Sequence, residues 1–444
     1  MEIDSGAKTF IRFTGVNRRS LASWTGTLGL AGVALGLGAS TAAVNIGILL
    51  LLLGAVLVLD DIVDSIGIGN ALLAAALTAF LLFVTLWAIY HFGIDAHAAW
   101  KEFGTLAKIA GLPSLAAGWW LSRGHLRYHH LLILFSLSVI IGCIGGLNIE
   151  MLLRTPFAGK EIIITNLNRN ELGFLAGILF MISGISLLLD ERAKSSLPGS
   201  GPVWNILFIL TAGLTGFLVI TSQSRAIILG ICIALVATFC IRILSTRHKI
   251  GRPGRRYALI AISTLVLLGL ITFSPLGQVL SKRFDGIEKS LYLLTNLNGE
   301  PLPDFKDNKR LLMWQESISL IAVAPLTGHG PGTAPALMAK SPHTEIRHYS
   351  HFHSLWLHWA VIIGIPGALG FAVLFLALAA QSARDAVRHD RHISWSALGL
   401  WVYFFFVTLV QLRINHSSGQ AFVILVGGMS YYCAFDTRLG KPGR

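Results

Sequence analysis

Residues 203–243 read VWNILFILTAGLTGFLVITSQSRAIILGICIALVATFCIRI, and this stretch decides the fold class. It holds two apolar runs, 203–221 and 226–243, on either side of a short polar turn. An α-helix needs about 20 mostly apolar residues to cross the hydrocarbon layer of a membrane, and both runs come close to that length. The stretch therefore predicts two transmembrane helices joined by a turn that contains Arg225.

Similar apolar runs recur along the whole chain of 444 residues. Hydrophobic residues make up 54% of the positions and charged residues only 13%, whereas soluble domains carry roughly 25% charged residues. The predicted spans are 24–39, 44–59, 71–90, 104–121, 131–148, 171–189, 203–221, 226–243, 257–274, 355–380, 395–412 and 419–434. The sequence thus predicts an all-α polytopic membrane protein of about 12 transmembrane helices, with membrane lipids around it.

The positive charge of the chain, formally +13, is concentrated in short loops between the predicted spans. When helices are counted from an inside N-terminus, the cytoplasmic loops receive Lys8, Arg12, Arg18, Arg19, Arg123, Arg127, Arg242, Arg247, Lys249, Arg252, Arg255, Arg256, Arg384, Arg388, Arg391, Arg438, Lys441 and Arg444. Basic loops of polytopic proteins stay in the cytoplasm. We therefore predict that both termini are cytoplasmic, and we expect no nucleic-acid partner.

One external loop, 275–354, is far longer than the others. Unstructured connections rarely exceed about 12–15 residues, so a loop of roughly 80 residues should contain its own helices and a function. The chain then divides into a first part of the transmembrane bundle at 1–274, this loop, and the last transmembrane helices at 355–444.

An amphipathic helix is predicted within the long loop. Leu311, Trp314, Ile318 and Ile321 recur at helical spacing, and Pro325 marks where the helix should end. A Gly-His-Gly-Pro-Gly sequence follows, and its glycines and prolines indicate a tight turn instead of a span. We expect the helix to lie on the membrane surface or on the bundle.

Two arginines of the external side are candidates for binding an anion. Arg225 stands at a predicted helix N-terminus, where the helix dipole disfavours a cation by roughly 0.3–1 kcal/mol. It either reaches toward lipid headgroups or binds an anion together with the free N–H groups of the helix start. Arg310 opens the amphipathic helix and is either an ordinary solvated charge or a group that flanks the buried face.

His353 precedes Ser354, which is the predicted N-cap of the helix that re-enters the membrane. A helix N-terminus favours neutral imidazole, and neutral imidazole can orient or deprotonate a hydroxyl. The alternative is an interfacial histidine without chemistry. A zinc site built from His351, His353 and His358 is disfavoured because few carboxylates lie nearby and His358 falls inside an apolar helix.

Two further external segments carry groups that could bind sugars or phosphate. The first consists of Asn166, Asn168, Arg169, Asn170 and Glu171 before a span, and the second of Arg413, Ile414, Asn415 and His416. Asparagines suit sugar hydroxyls but are also ordinary turn residues. Taken together, the arginines, histidines and amides lie on one membrane face, as the binding of a diphosphate and sugars would require.

Several of these segments resemble a known family, the O-antigen ligase and polymerase superfamily of bacterial envelopes. The resemblance lies in Ser222-Gln223-Ser224-Arg225-Ala226, Arg310-Leu311-Leu312-Met313-Trp314, Pro325-Leu326-Thr327-Gly328-His329-Gly330-Pro331-Gly332, His351-Phe352-His353-Ser354 and Gly364-Ile365-Pro366-Gly367. It is dense between about 205 and 375 and diffuse elsewhere. Ser354 departs from the family, which commonly has Asn after the histidine.

The resemblance implies a GT-C-like glycosyltransferase of the inner membrane with a periplasmic active site. It implies an undecaprenyl-diphosphate-linked glycan as donor, lipid A-core or another glycan as acceptor, and no cofactor or metal. Arg225, Arg310 and His353 are then the predicted catalytic residues. The predicted substrate-binding residues are His351, Ser354, Arg169, Asn170, Arg413 and His416.

Other functions remain open at the level of the sequence. A Wzy-type polymerase uses the same donor, and the motifs do not separate the two acceptors. A protein oligosaccharyltransferase of the same superfamily is less favoured, since no further C-terminal domain follows the last predicted span. A transporter of lipid-linked sugars would more naturally carry charges along its spans, which are nearly free of charge here.

Overall fold

The computed structural model describes residues 17–66, 78–87, 89–90, 96–123, 126, 128–144, 169–189, 202–222, 224–246 and 309–439. All regular secondary structure in these ranges is helical, which confirms the predicted all-α class. The α-helices are α1 Arg18–Ala39, α2 Thr41–Leu57, α3 Leu59–Ile66, α4 Thr78–Trp87, α5 Ala96–Ile109, α6 Leu112–Ser122, α7 Tyr128–Ile144, α8 Arg169–Leu188, α9 Pro202–Ser222, α10 Arg225–Thr246, α11 Lys309–Val323, α12 Ala334–Ala339, α13 Leu355–His389, α14 His392–Leu409 and α15 Ser417–Leu439. A short 3₁₀ turn covers Thr344–Ile346.

Within these ranges, six helices are long and apolar enough to cross a membrane: α1, α8, α9, α10, α13 and α14. The pair α2 and α3, bent by 78°, makes a seventh if it is counted as one span. All of these helices coincide with predicted spans. The predicted total of about 12 is not reached in the described ranges and stays a prediction, as does the GT-C-like arrangement. The predicted span 257–274 lies outside the described residues.

One predicted span is wrong. The run 104–121 is not a continuous helix, because α5 ends at Ile109 and α6 begins at Leu112. Gly111 separates them with a φ of 110°, a conformation that residues other than glycine rarely adopt, and Pro113 follows in the first turn of α6. The hydropathy of the run hides this break because both halves are apolar.

The core between the helices is apolar and rich in aromatic rings. The helix α10 packs against α14 and α8, and α13 packs against α14 and α15. Trp359 and Phe375 of α13 contact Trp401 and Phe404 of α14 through a network of ring contacts, and all four side chains are buried. Packing of large rings fixes how the ends of these helices lie relative to one another.

Charged groups gather at the two ends of the bundle. Arg225 begins α10 and Arg242 lies near its other end, about 26 Å away along a helix that rises 1.5 Å per residue. Arg242 pairs with Asp390 at 3.3 Å, and Arg19 pairs with Asp61 at 3.1 Å. These basic residues were all predicted to be cytoplasmic. The membrane orientation itself stays a prediction.

A kink divides α13 at Gly364, whose φ of 74° and ψ of 170° are not helical. Pro366 has no N–H to donate to the preceding turn, and the N–H of Ile365 instead donates to the carbonyl of Pro325 at 2.8 Å. Two carbonyls of α13 therefore lose their usual donors.

The Gly-His-Gly-Pro-Gly turn at 328–332 supplies those missing donors. The N–H of His329 donates to the carbonyl of Val361 at 2.7 Å, and the N–H of Gly330 donates to Ile362 at 2.9 Å. Two motifs of the sequence, the glycine-rich turn and the Gly-Ile-Pro-Gly kink, thus satisfy each other's backbone groups inside the protein.

The amphipathic helix α11 ends at Val323, just before Pro325 as predicted, but its buried face is only partly the predicted one. Leu311 is buried, whereas Ile318 is 50% exposed. Met313 and Ser317 are buried in its place, and the Ser317 hydroxyl donates to the Met313 carbonyl, so its burial leaves no unpaired group. The sequence pattern alone ranks serine as polar and cannot foresee this.

Candidate active site

Polar segments from distant parts of the chain meet at one end of the bundle. Glu102 of α5 contacts the loop that follows α11. Ser418 at the start of α15 donates to Glu171 of α8 at 3.0 Å, and Gln411 after α14 donates to Ser224 before α10 at 3.2 Å. The predicted external turns therefore lie side by side.

His353 lies in this region with a φ of 52°, a conformation unusual for a residue other than glycine. Its ring lies 4.3 Å from that of His351 and meets Tyr349 edge-on at 5.5 Å. Burial, together with the nearby cations Arg310 and Arg413, lowers the pKa of His353 to about 4. The imidazole is neutral at physiological pH, as predicted, but burial is the main cause instead of the helix dipole.

Ser354 takes the predicted N-cap position with an extended backbone, and its carbonyl accepts the N–H of His358 at 3.0 Å. The side chain is buried and forms no capping hydrogen bond. The prediction of the helix start is right, and the predicted capping role of the hydroxyl is not observed.

Arg413 is deeply buried at this end, with 5% of its surface exposed. Its Nε donates to Gln411 at 2.7 Å, while its Nη1 atom has no hydrogen-bond partner among the described residues. Burial lowers the pKa of Arg413 to about 10, and Glu171 opposes that shift, so the side chain stays charged. A buried charge with a free donor is costly unless an anion pairs with it.

A chain of hydrogen bonds connects Arg413 to the start of α10. Gln411 accepts from Arg413 and donates to Ser224, whose carbonyl accepts the first N–H groups of that helix. Arg225 is the next residue, half-buried at the helix N-terminus. Arg310, half-buried at the start of α11, lies close enough to Arg413 to affect its pKa. Three of the predicted arginines therefore belong to one region.

The remaining predicted substrate-binding residues whose side chains the structure describes, His351, His416 and Asn170, lie in or next to this region. Burial and the neighbouring His353 lower the pKa of His351 to about 3, and its Nδ1 lies 3.2 Å from the Ser350 hydroxyl. Burial also lowers the pKa of His416, against the attraction of Glu171. Asn170 is half-buried in the first turn of α8. The Arg169 side chain, together with Asn166 and Asn168, lies outside the described residues.

Sequence reasoning missed two residues that organise this end. Gln411 was placed inside a predicted span, but α14 ends at Leu409 and leaves it in the connecting turn. Glu102 has no surrounding motif, and it accepts hydrogen bonds from the Gly332 N–H and from His358. The one feature of the sequence that could have indicated a role for Glu102 is its position as a charged residue at the edge of an apolar run.

A metal centre has no support from the described part of the chain. No group of three or more histidine, cysteine, aspartate or glutamate side chains there could hold a metal ion. His358, one member of the zinc set considered above, has its Nε2 atom bonded to Glu102 at 2.7 Å.

The fold and this region define a polytopic helical membrane protein with a cationic, histidine-containing site at one end. Residues 209–372 match the family model described as O-antigen ligase, which confirms the resemblance to the O-antigen ligase and polymerase superfamily. The match covers less than half of the chain, and Arg413 and His416 lie beyond it. No curated protein matches the chain. The family implies a glycosyltransferase-like membrane enzyme.

Proposed function

We propose that the protein transfers a glycan from undecaprenyl diphosphate to a sugar hydroxyl of lipid A-core in lipopolysaccharide biosynthesis, at the periplasmic face of the inner membrane. The observation that carries the proposal is that Arg310 and Arg413 lie close enough to a neutral His353 to affect its pKa, while Gln411 connects Arg413 to Ser224, the residue before Arg225. Arginines at this site suit a diphosphate, and a neutral imidazole suits the activation of a hydroxyl.

The arginines hold the diphosphate of the donor in this account. As the bond between the anomeric carbon and the diphosphate oxygen breaks, negative charge grows on the leaving group. Guanidinium groups fixed beside that oxygen stabilise the charge more in the transition state than in the ground state. The buried Arg413, with its free Nη1 donor, is suited to this role because its burial excludes competing water. The chemistry needs no metal.

His353 acts on the acceptor. Its imidazole accepts the proton of the acceptor hydroxyl as the oxygen forms its bond to the anomeric carbon on the face opposite the diphosphate, so the configuration inverts. A general base of this kind contributes about 10²–10⁴-fold to the rate. Burial of the imidazole, with a smaller contribution from the charges of Arg310 and Arg413, keeps it unprotonated before the acceptor binds.

We infer that the helix α11 covers the donor. Arg310 stands at its first turn, and its outer face exposes Ile318 and Val323, at 50% and 77%. An exposed apolar face next to a cationic site fits contact with the polyprenyl chain or the membrane surface. Such a cover also excludes water, which would otherwise hydrolyse the donor.

A Wzy-type polymerase is the second candidate, since it uses the same donor. The matched segment 209–372 contains Arg225, Arg310 and His353, which act on the donor and the hydroxyl in either reaction. The two functions differ in the acceptor, lipid A-core or a second lipid-linked glycan.

The arginine roles are tested by Arg225→Lys and Arg310→Lys, which keep the charge but lose the paired donors of a guanidinium. We expect each variant to lose on the order of tenfold or more in kcat/KM with purified donor and acceptor. Arg347→Lys is the matched control, because Arg347 is an exposed arginine of the same loop that donates to the Ser341 carbonyl. Wild-type kcat/KM in both test variants would show that the arginines do not hold the diphosphate.

A further inference from the structure

A buried acid–histidine pair lies beside the candidate site. The Nε2 atom of His358 lies 2.7 Å from a carboxylate oxygen of Glu102, and His358 is 1% exposed. The other carboxylate oxygen accepts the N–H of Gly332 in the glycine-rich turn. One side chain of α5 thus contacts both the turn at 328–332 and the first turns of α13.

The charge state of the pair follows from its contacts. Burial alone raises the pKa of Glu102, but the adjacent His358 and the Gly332 N–H outweigh burial and leave the pKa below its usual value. An ionised carboxylate accepts hydrogen bonds and donates none, so the proton between the two groups belongs to His358 Nε2. In neutral His358 the Nδ1 atom is then an acceptor.

That Nδ1 atom is buried and has no hydrogen-bond partner among the described residues. The imidazole ring of His358 lies 6.0 Å from the ring of Phe352, the residue between His351 and His353. His358 is also close enough to His351 to affect its pKa, and the rings of His351 and His353 lie 4.3 Å apart. The pair therefore borders the segment 351–353 through the contact of His358 with Phe352.

We propose that Glu102 is a positioning residue for the transfer reaction, acting through His358 and the Gly332 backbone to hold the 351–353 segment. Glu102 fixes the tautomer of His358, and this leaves an acceptor at Nδ1 aimed away from Glu102. It also ties the glycine-rich turn to α5. The expected effect on kcat rests on the proposed function. The expected tautomer of His358 rests only on its contacts with neighbouring residues.

The first measurement uses the kinetics of purified full-length protein with a lipid-linked glycan donor and rough lipopolysaccharide. Glu102→Gln preserves the shape of the side chain, but its amide N–H can donate to the Nε2 atom of His358. Nε2 then becomes the acceptor and the imidazole proton moves to Nδ1. We expect kcat to fall about tenfold or more, as for other carboxylates that orient a functional histidine, with KM and the melting temperature near wild type. Glu102→Asp keeps the charge and should retain an intermediate kcat.

Glu316→Gln is the matched control. It removes a half-buried carboxylate that accepts from Ser341 at 3.1 Å in the same loop region, and we expect wild-type kcat. A Glu102→Gln protein with wild-type kcat overturns the proposal. The proposal is also overturned if the lower activity of the Glu102→Gln protein is explained fully by a smaller fraction of folded protein.

A second measurement does not depend on substrate. Imidazole ¹⁵N spectra of the wild type should show His358 protonated at Nε2, and the Glu102→Gln spectrum should show the proton at Nδ1. If the tautomer is the same in both proteins, Glu102 does not set it. If the wild-type protein transfers no glycan but shows the expected tautomer, the proposed function is wrong while the role of Glu102 in setting the tautomer stands. Failure of the proposed function can therefore be told apart from failure of the Glu102 proposal.

Discussion

At the scale of single residues, His353 owes its neutral state to its surroundings. Its pKa of about 4 results first from burial and then from Arg310 and Arg413. Two of the arginines that we propose to bind the donor diphosphate therefore also contribute to the neutral state of the proposed base. In the proposed reaction, the negative charge of a bound diphosphate would offset the arginines and make the imidazole more basic as the acceptor arrives.

The pH dependence of kcat/KM follows from this pKa, because kcat/KM reports groups of the free enzyme. A histidine whose pKa is lowered to about 4 stays neutral at every higher pH and is protonated only as the pH falls through that value. We expect kcat/KM to stay flat from about pH 8 to pH 5 and to fall below that. If the base were a histidine with the usual pKa of about 6.5, kcat/KM would already fall to half near that pH. Such a profile would contradict the role of His353 as the base.

Arg413 provides a second test at this scale. Arg413→Gln removes the buried charge and its free Nη1 donor, so the donor diphosphate loses a charge-assisted hydrogen bond. We expect kcat/KM to fall on the order of 10- to 100-fold in initial-rate assays, with the melting temperature unchanged or raised, since a buried unpaired cation is removed. Arg388→Gln, an exposed arginine at the other end of the bundle, should have wild-type activity. Equal rates for both variants would exclude Arg413 from donor binding.

The sequence predicted the residue types of this site better than their contacts. Arg225, Arg310 and His353 could be proposed as site residues because they stand in recognisable motifs near predicted helix ends, and their roles stay predictions. Glu102 and Gln411 could not be proposed, since their partners are 256 and 187 residues away along the chain. Such contacts depend on which helix ends meet, and local sequence does not contain that information.

At the scale of elements, the kink of α13 and the glycine-rich turn form one unit. Gly364 and Gly328 both have positive φ, and a Cβ on Gly364 would lie 2.3 Å from the Leu326 carbonyl oxygen. A Cβ on Gly328 would lie 2.5 Å from the Gly364 nitrogen. The close approach of two backbones explains why both motifs require glycine.

Gly364→Ala should therefore be strongly destabilising. Positive φ and the backbone clash each disfavour a side chain, so we expect the free energy of unfolding to fall by about 1–3 kcal/mol or more. The measurement is the melting temperature of the detergent-purified protein, which should be lower. Gly213→Ala is the matched control, because a Cβ there meets nothing within 4 Å. A Gly364→Ala protein as stable as that control would mean that the two motifs do not pack as described.

Element boundaries were predictable where a strong stop signal exists. Pro325 correctly predicted the end of α11, and the long apolar runs predicted α9 and α10 within a few residues. The break at Gly111 and the exposed position of Ile318 were not foreseen. Both depend on how an element packs against its neighbours, which hydropathy does not report.

At the scale of the whole molecule, the charges separate into two ends that match the predicted sides of the membrane. Among the described residues, Arg242 and Arg391 lie with Asp390 and Asp385 at one end, and Arg413 and His353 lie at the candidate site at the other. The count of basic residues in loops also predicts which end faces the cytoplasm, and that orientation stays a prediction. The span number was harder to predict, because apolar runs also form short, broken or bent helices.

The orientation can be tested by cysteine labelling in a background without native cysteines. Ser350 is exposed near the candidate site, and Asp64 is exposed in α3 at the opposite end. We expect a membrane-impermeant maleimide added to the periplasmic side of intact spheroplasts to label Ser350→Cys, and to label Asp64→Cys only after permeabilisation. The reverse pattern would place the site in the cytoplasm.

The most direct test of the central claim is a reaction of the purified protein with an undecaprenyl-diphosphate-linked glycan and rough lipopolysaccharide. We predict glycan-extended lipopolysaccharide, one undecaprenyl diphosphate released per glycan transferred, and no product from His353→Ala beyond the uncatalysed rate. Extension of a second lipid-linked glycan instead would identify a polymerase. Absence of transfer to either acceptor by a folded wild-type protein, or equal transfer by His353→Ala, would contradict the account.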